Sequence, residues 1–194
     1  IENALDKINA DEKKYLLNIG YKTWLYFKEN LTAKDNFLPP DNYQEDRKPK
    51  LVMRTSSTNI GLALLAVMAS YDLNYENFNN TICLLYKMVN TINNLPKWNG
   101  HLYNWYNIET LEPLNPRYVS SVDSGNFIGY LYVLKQFLIK KKEEIQQCEI
   151  DGNSENNEIY RNLKSEDKNN SDIVSKNDDI INKLEFMIES IINI

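Results

Sequence analysis

Residues 58–73 read TNIGLALLAVMASYDL, and this stretch decides the fold. Its apolar side chains point to every side of a helix rather than to one stripe. A helix of that kind is buried all round, in a protein core or in a membrane. The longest apolar run, Ile60 to Ala69, is about half of the ~20 residues a span needs. The stretch is therefore predicted to be an inner helix of a folded domain.

The neighbouring segments differ in kind. Leu17, Tyr21, Trp24, Leu25 and Leu31 keep helical spacing and predict an amphipathic helix over 6–31. Phe78, Ile82, Leu85, Val89 and Ile92 predict another over 76–95. Residues 121–139 are again apolar nearly all round, through Phe127, Ile128, Leu131, Tyr132, Leu134, Phe137 and Leu138. Ile180, Leu184, Met187, Ile188 and Ile191 predict a fifth, amphipathic helix over 179–194. No stretch alternates at period two. The order is amphipathic, buried, amphipathic, buried, amphipathic. In a plain four-helix bundle every helix would be amphipathic. Outer and inner helices in turn predict an all-α fold of antiparallel helical hairpins, part of an (α/α)6 toroid or barrel.

Two connections, 32–57 and 96–120, exceed the ~12–15 residues usual in compact domains. They carry Phe37, Tyr43, Trp98, Tyr103, Trp105, Tyr106 and Tyr118. In an antiparallel array alternate connections share an end. Both aromatic loops are thus expected beside the N-termini of the two inner helices, with the tight turn near Asn74 at the other end. The stretch 146–178, rich in Asn, Ser, Asp, Glu and Lys, reads as a polar, solvated insertion away from the aromatic loops. The run Lys140 to Glu144 is expected to carry the fourth helix into solvent. The organisation is then 1–145 helical hairpins, 146–178 insertion and 179–194 a further helix of the same domain.

Composition narrows the function. The 194 residues carry 22 Lys plus Arg against 27 Asp plus Glu, a net charge of −5. That balance argues against a nucleic-acid partner. No Gly-rich phosphate-cradling motif occurs. One His and two distant Cys, Cys83 and Cys148, make no metal framework, and no cofactor is expected. The N-terminal segment lacks the apolar core of a signal peptide. The chain opens on Ile1 rather than Met and is too short for the toroid its pattern begins, so it reads as a piece of a larger protein.

The candidate site lies in the two loops. Loop one offers Asp41, Asn42, Tyr43, Gln44 and Arg54; loop two offers His101, Asn104, Trp105, Tyr106, Ser120, Ser121, Asp123 and Ser124; Asn59 stands where the second helix begins. Flat rings among neutral polar groups suit a sugar, whose C–H faces pack on rings while its hydroxyls find hydrogen bonds. Each residue also has a structural explanation. The aromatics can anchor the loops, and His101 can be a hydrogen-bonding residue rather than a base. Ser57 or Thr58 can cap the second helix. Asp123 can satisfy first-turn N–H groups instead of acting as acid or nucleophile. Arg54 and Arg117 are expected to brace the loops through carboxylates such as Asp41 or Asp123. Cys83 reads as core packing.

Four stretches point to a family: YKTWLYF at 21–27, LPPDNYQE at 38–45, RTSSTNIGLALLAVMASYDL at 54–73 and GHLYNWYNIETLEPLNPRYVSSVDSGN at 100–126. Over roughly residues 10–140 the chain resembles cyclic β-1,2-glucan synthases. Ser57 departs from the Pro common in that family, and either residue suits a helix start. The resemblance implies the start of the cyclization (transglycosylase) region of a large membrane-associated protein, this segment lying on its cytoplasmic side. It implies a β-1,2-glucan or other glucose-based oligosaccharide as ligand and the remaining domains of the parent as partners. It also implies retaining transglycosylation through a carboxylate nucleophile, which needs two carboxyls about 5–5.5 Å apart. Asp41, Glu45, Glu109, Glu112 and Asp123 show no such pairing by spacing. The catalytic residues are thus unassigned and expected downstream, with substrate subsites here. The competing expectation is a non-catalytic carbohydrate-binding or spacer module.

Overall fold

The computed structural model describes residues 8–151 and 170–193, with side chains placed for 8–147 and 178–192. Five helices follow in order: α1 Ala10–Asn30, α2 Ser57–Asp72, α3 Phe78–Asn94, α4 Ser121–Asp151 and α5 Asn170–Asn193. α4 and α5 run farther into 146–178 than the composition of that stretch predicts; residues 152–169 lie outside the described residues.

Local chemistry fixes the helix ends. Asn9 and Glu12 form a capping box on α1: the Asn9 side chain accepts from the Asp11 and Glu12 N–H groups at 3.0 and 2.9 Å, and Asn9 N–H donates to Glu12 at 2.9 Å. α2 is capped by Ser56, whose Oγ accepts from Asn59 N–H at 3.2 Å. The expected caps, Ser57 and Thr58, are instead the first two residues of the helix. Asn77 caps α3, and Asn74 turns the chain between α2 and α3 with φ 58°.

α2 and α4 lie side by side as the inner pair. α1 and α3 flank α2, and α5 packs on α3 and α4, so the outer helices form a second layer. The α3 stripe, Phe78, Ile82, Leu85, Val89 and Ile92, is fully buried, as are Ile60, Leu64 and Val67 of α2 and Leu134 and Leu138 of α4. On α5, Leu184 and Met187 complete the core. Asn93 donates to Ser190 at 2.9 Å and Lys142 pairs with Glu185 at 2.7 Å, tying α5 to its neighbours.

Three expectations change. Lys141, in the run expected to reach solvent, is buried, with its ammonium 4.9 Å from the Tyr71 ring centre and 2.9 Å from Glu144. Trp24 is the buried residue of α1, whereas Tyr21 of its predicted stripe is exposed. Short strands also occur: β1 Arg54–Thr55, β2 Lys97–Trp98, β3 His101–Leu102 and β4 Tyr106–Asn107. At two residues each they are too short to show an alternating pattern.

Candidate functional site

Both long loops meet over the N-terminal ends of α2 and α4. β1 pairs antiparallel with β4, placing Thr55 opposite Tyr106. The Asn36 amide donates to the Ile108 and Glu109 carbonyls at 2.8 and 3.0 Å, and Thr91 Oγ1 donates to Asn36 O at 2.8 Å. β2 and β3 form a hairpin turned by Asn99 and Gly100, with φ 47° and 84°. Positive φ at both turn residues matches the twist of the strands, and Asn-Gly adopts it readily. The Asn99-Gly100 pair was a sequence signal for this hairpin that helical periodicity left unread.

Asp41 stands at one centre of the polar network. Its Oδ2 accepts from Arg54 Nε and Nη2 at 3.2 and 3.1 Å and from Asn42 Nδ2 at 3.1 Å; Oδ1 accepts from Asn59 Nδ2 at 3.0 Å. The Arg54 guanidinium in turn lies over the Trp105 ring, 4.1 Å from its centre. The expected Arg54 brace is thus present and also reaches Trp105. Arg117 is exposed.

Asp123 is the second centre. Thr58 Oγ1 donates to its Oδ1 at 2.6 Å, a bond between the first turns of the two inner helices. The Asn104 amide, oriented to satisfy both of its ends, donates to Asp123 Oδ2 at 3.2 Å. Its oxygen accepts from Trp105 Nε1 at 2.6 Å and Tyr118 OH at 2.7 Å. The first-turn cap of α4 comes from Ser120, whose Oγ accepts from Asp123 N–H at 3.2 Å. Asp123 therefore bridges helices; both its oxygens are held by neutral donors. Thr58 and Tyr118 join this network although chain position alone did not mark them as site residues. Their partners lie 65 and 14 residues away.

The remaining candidates divide. Tyr106 is fully buried, its OH donating to Pro96 O at 2.7 Å and accepting from Tyr103 N–H at 2.7 Å. It anchors the loop and offers a ligand no surface, which corrects its place among the expected contacts. Burial pushes its phenol up to about 12. Tyr43 is half exposed beneath the Lys50 ammonium, 5.5 Å away, and pairs with Leu51; Gln44 N–H donates to Lys50 O at 2.7 Å. Both belong to the 43–51 turn. His101 is exposed, and with Asn99, Leu102, Ser57, Ser124 and Phe127 lines a cleft of about 150 Å³ between the hairpin and α4. Ser121 is exposed at the start of α4. Cys83 is half buried beside Trp24 and Glu76, not fully in the core.

The two hydrogen bonds of Tyr106 make a pH prediction. A phenol that ionises near 12 when folded and near 10 when unfolded stabilises fully below pH 10 and loses that contribution as pH rises towards 12. Tyr106→Phe should therefore lower stability by about 1–3 kcal/mol at pH 8, because the Pro96 carbonyl and Tyr103 N–H lose their partner. It should also flatten the loss of stability between pH 10 and 12. Urea titrations of both proteins across that range check both effects.

Among the described residues no group of three or more His, Cys, Asp or Glu is placed to hold a metal ion, and no helix is long and apolar enough to cross a membrane.

An inner pair of helices within an outer layer, with long loops joined over the inner N-termini, defines an α/α-toroid class of chain. Solved structures agree on the fold. A candidate glucoamylase from Bacteroides caccae ATCC 43185 superposes with a TM-score of 0.56 at 15% identity, over 86% of this chain and 36% of that one. The endo-β-1,2-glucanase of Chitinophaga pinensis, solved with sophorotriose and glucose, gives 0.56 at 15% identity over 89% and 37%. No protein-family profile matches the chain. Over one segment the chain is similar to a cyclic β-(1,2)-glucan synthase. It is 46% identical over 146 residues to the cyclic β-(1,2)-glucan synthase NdvB of Rhizobium meliloti (strain 1021). That match takes in 75% of this chain and spans 5% of the length of the relative.

Proposed function

We propose that this chain forms part of the glucan-binding wall in the cyclization region of a β-1,2-glucan synthase. The observation that carries the reading is the fixed indole of Trp105. Arg54 lies over its ring, Asn104 accepts from its Nε1, and Asp41 and Asp123 lock those two partners to the inner helices. A preset ring costs little entropy when a pyranose face packs on it. Retaining transglycosylation would use carboxylates supplied by other parts of the parent, since Asp41 and Asp123 are already engaged by the fold. The parent's membrane association and its other domains belong to the same proposal.

Titration calorimetry of the full-length protein with linear β-1,2-gluco-oligosaccharides tests it. Trp105→Ala should weaken binding by about 2 kcal/mol, some 30-fold. No binding by the parent, or no change in the variant, would overturn the reading. The engaged state of Asp41 and Asp123 also favours a second reading, a non-catalytic carbohydrate-binding or spacer module. In that case Trp105→Ala would weaken binding while leaving the rate of cyclic product formation untouched at saturating substrate.

A further inference from the structure

A cavity of about 250 Å³ lies among α1, α2 and α3, and neither aromatic loop nor α4 lines it. Trp24 and Lys28 of α1, Val67 of α2, Glu76 of the turn before α3, and Cys83 and Leu84 of α3 shape it. It is smaller than the ~300–1,000 Å³ pockets that hold drug-sized ligands, so it suits a molecule of one small ring.

Its polar groups narrow the ligand. Trp24 is 4% exposed, and its Nε1–H meets no acceptor at bonding geometry among the described residues. A buried indole N–H ordinarily finds one, because leaving it unpaired costs free energy. Glu76 stands close by. The Lys28 ammonium lies 2.6 Å from Glu76 Oε1, and Asn80 Nδ2 donates to Oε2 at 3.3 Å. Burial raises this carboxyl, but Lys28, Asn80 and the nearby Trp24 indole outweigh it and hold it below the ordinary carboxylate range. Glu76 is therefore an ionised acceptor at neutral pH. An anion placed at Trp24 would be repelled by that carboxylate. A cation would face Lys28 and has no lone pair for the indole. A hydroxyl satisfies both groups: its oxygen accepts from Nε1–H and its proton goes to Glu76. Val67, Leu84 and the indole ring add apolar wall for C–H groups.

We propose that this cavity binds a neutral polyhydroxylated molecule the size of one sugar ring, with Trp24 and Glu76 as the donor and acceptor for one of its hydroxyls. The site is separate from the Trp105 wall and does not rest on the glucan reading.

Cys83, half buried on the cavity wall, is the reporter, and glucose is the probe. In the full-length protein, peptide mass spectrometry follows alkylation of Cys83 by iodoacetamide apart from every other thiol. Glucose should slow it by about threefold or more, with half the effect at roughly millimolar concentration, the range for a ligand of about a dozen heavy atoms. Trp24→Phe keeps a ring and removes the N–H; Glu76→Gln keeps the size and removes the charge. Each should raise the half-effect concentration by about tenfold, the worth of one such hydrogen bond. Trp105→Ala should leave it unchanged, and an equal mass of raffinose, too large for the cavity, should not protect. Crystals soaked in glucose give a second reading: a ring with one hydroxyl between Trp24 Nε1 and Glu76. Water alone at that place would overturn the proposal. So would absence of protection, equal protection by raffinose, protection by phosphate in place of glucose, or protection that both variants leave unchanged.

Discussion

Replacing Asp123 by alanine should cost the fold roughly 3 kcal/mol, although the residue sits in the first turn of a helix rather than in the core. The carboxylate joins α4 to α2 through Thr58 Oγ1 at 2.6 Å and to loop two through Asn104 Nδ2 at 3.2 Å. Its loss leaves two donors without their acceptor, and each unsatisfied donor costs about 1–3 kcal/mol when water cannot reach it. A carboxylate near a helix N-terminus adds about 0.3–1 kcal/mol that goes with it. Asp123→Asn should recover only part of the loss, since its amide turns a donor towards one of two donors. Denaturant unfolding of Asp123→Ala, Thr58→Val and the double variant gives the coupling. A coupling near zero would show that the bridge contributes nothing. The same variant should loosen Trp105, because Asn104 loses the partner that orients it, and a red shift in tryptophan fluorescence reads that effect.

Gly61→Ala should be the other severe change. Alanine favours a helix over glycine by about 1 kcal/mol, so on an open helix it would stabilise. Here its Cβ would fall 1.9 Å from Cδ2 and 2.7 Å from Cγ of Tyr130. The clash reaches the root of the ring, so rotating the ring's far edge cannot relieve it. Either Tyr130 leaves its rotamer or the inner helices part. Overpacking of this kind costs about 1–3 kcal/mol, occasionally more. We expect a net loss near 2 kcal/mol and a fall in melting temperature of about 4–8 °C. Tyr130→Ala in the same chain should restore most of it. A variant more stable than the parent sequence would show that the helices are not packed through this contact.

The amphipathic stripe of α3 was legible in the sequence because its buried residues recur at one helical period, and Phe78, Ile82, Leu85, Val89 and Ile92 all proved fully buried. The same rule misled at Tyr21, where α1 has a partner on one side and leaves much of its length exposed. Lys141 escaped the reading because a long aliphatic stem can pack against rings while the ammonium keeps an ion pair. In the loops, residue type marked Asp41, Arg54, Asn104, Trp105 and Asp123 as polar and aromatic candidates. It could not say which would bind each other. Tyr106 and Trp105 are neighbours of similar character, yet one is sealed in the core and the other only partly buried.

What the sequence determined by itself is the alternation of inner and outer helices. Hydrophobic periodicity is a local property, written into each segment before any contact forms. The tertiary structure alone decided which residues meet across 65 positions of chain, as Thr58 and Asp123 do, and which face of α4 stays open. Those outcomes depend on where helices cross and where backbones approach, and a glycine such as Gly61 shows its purpose only when Tyr130 is seen to fill the space.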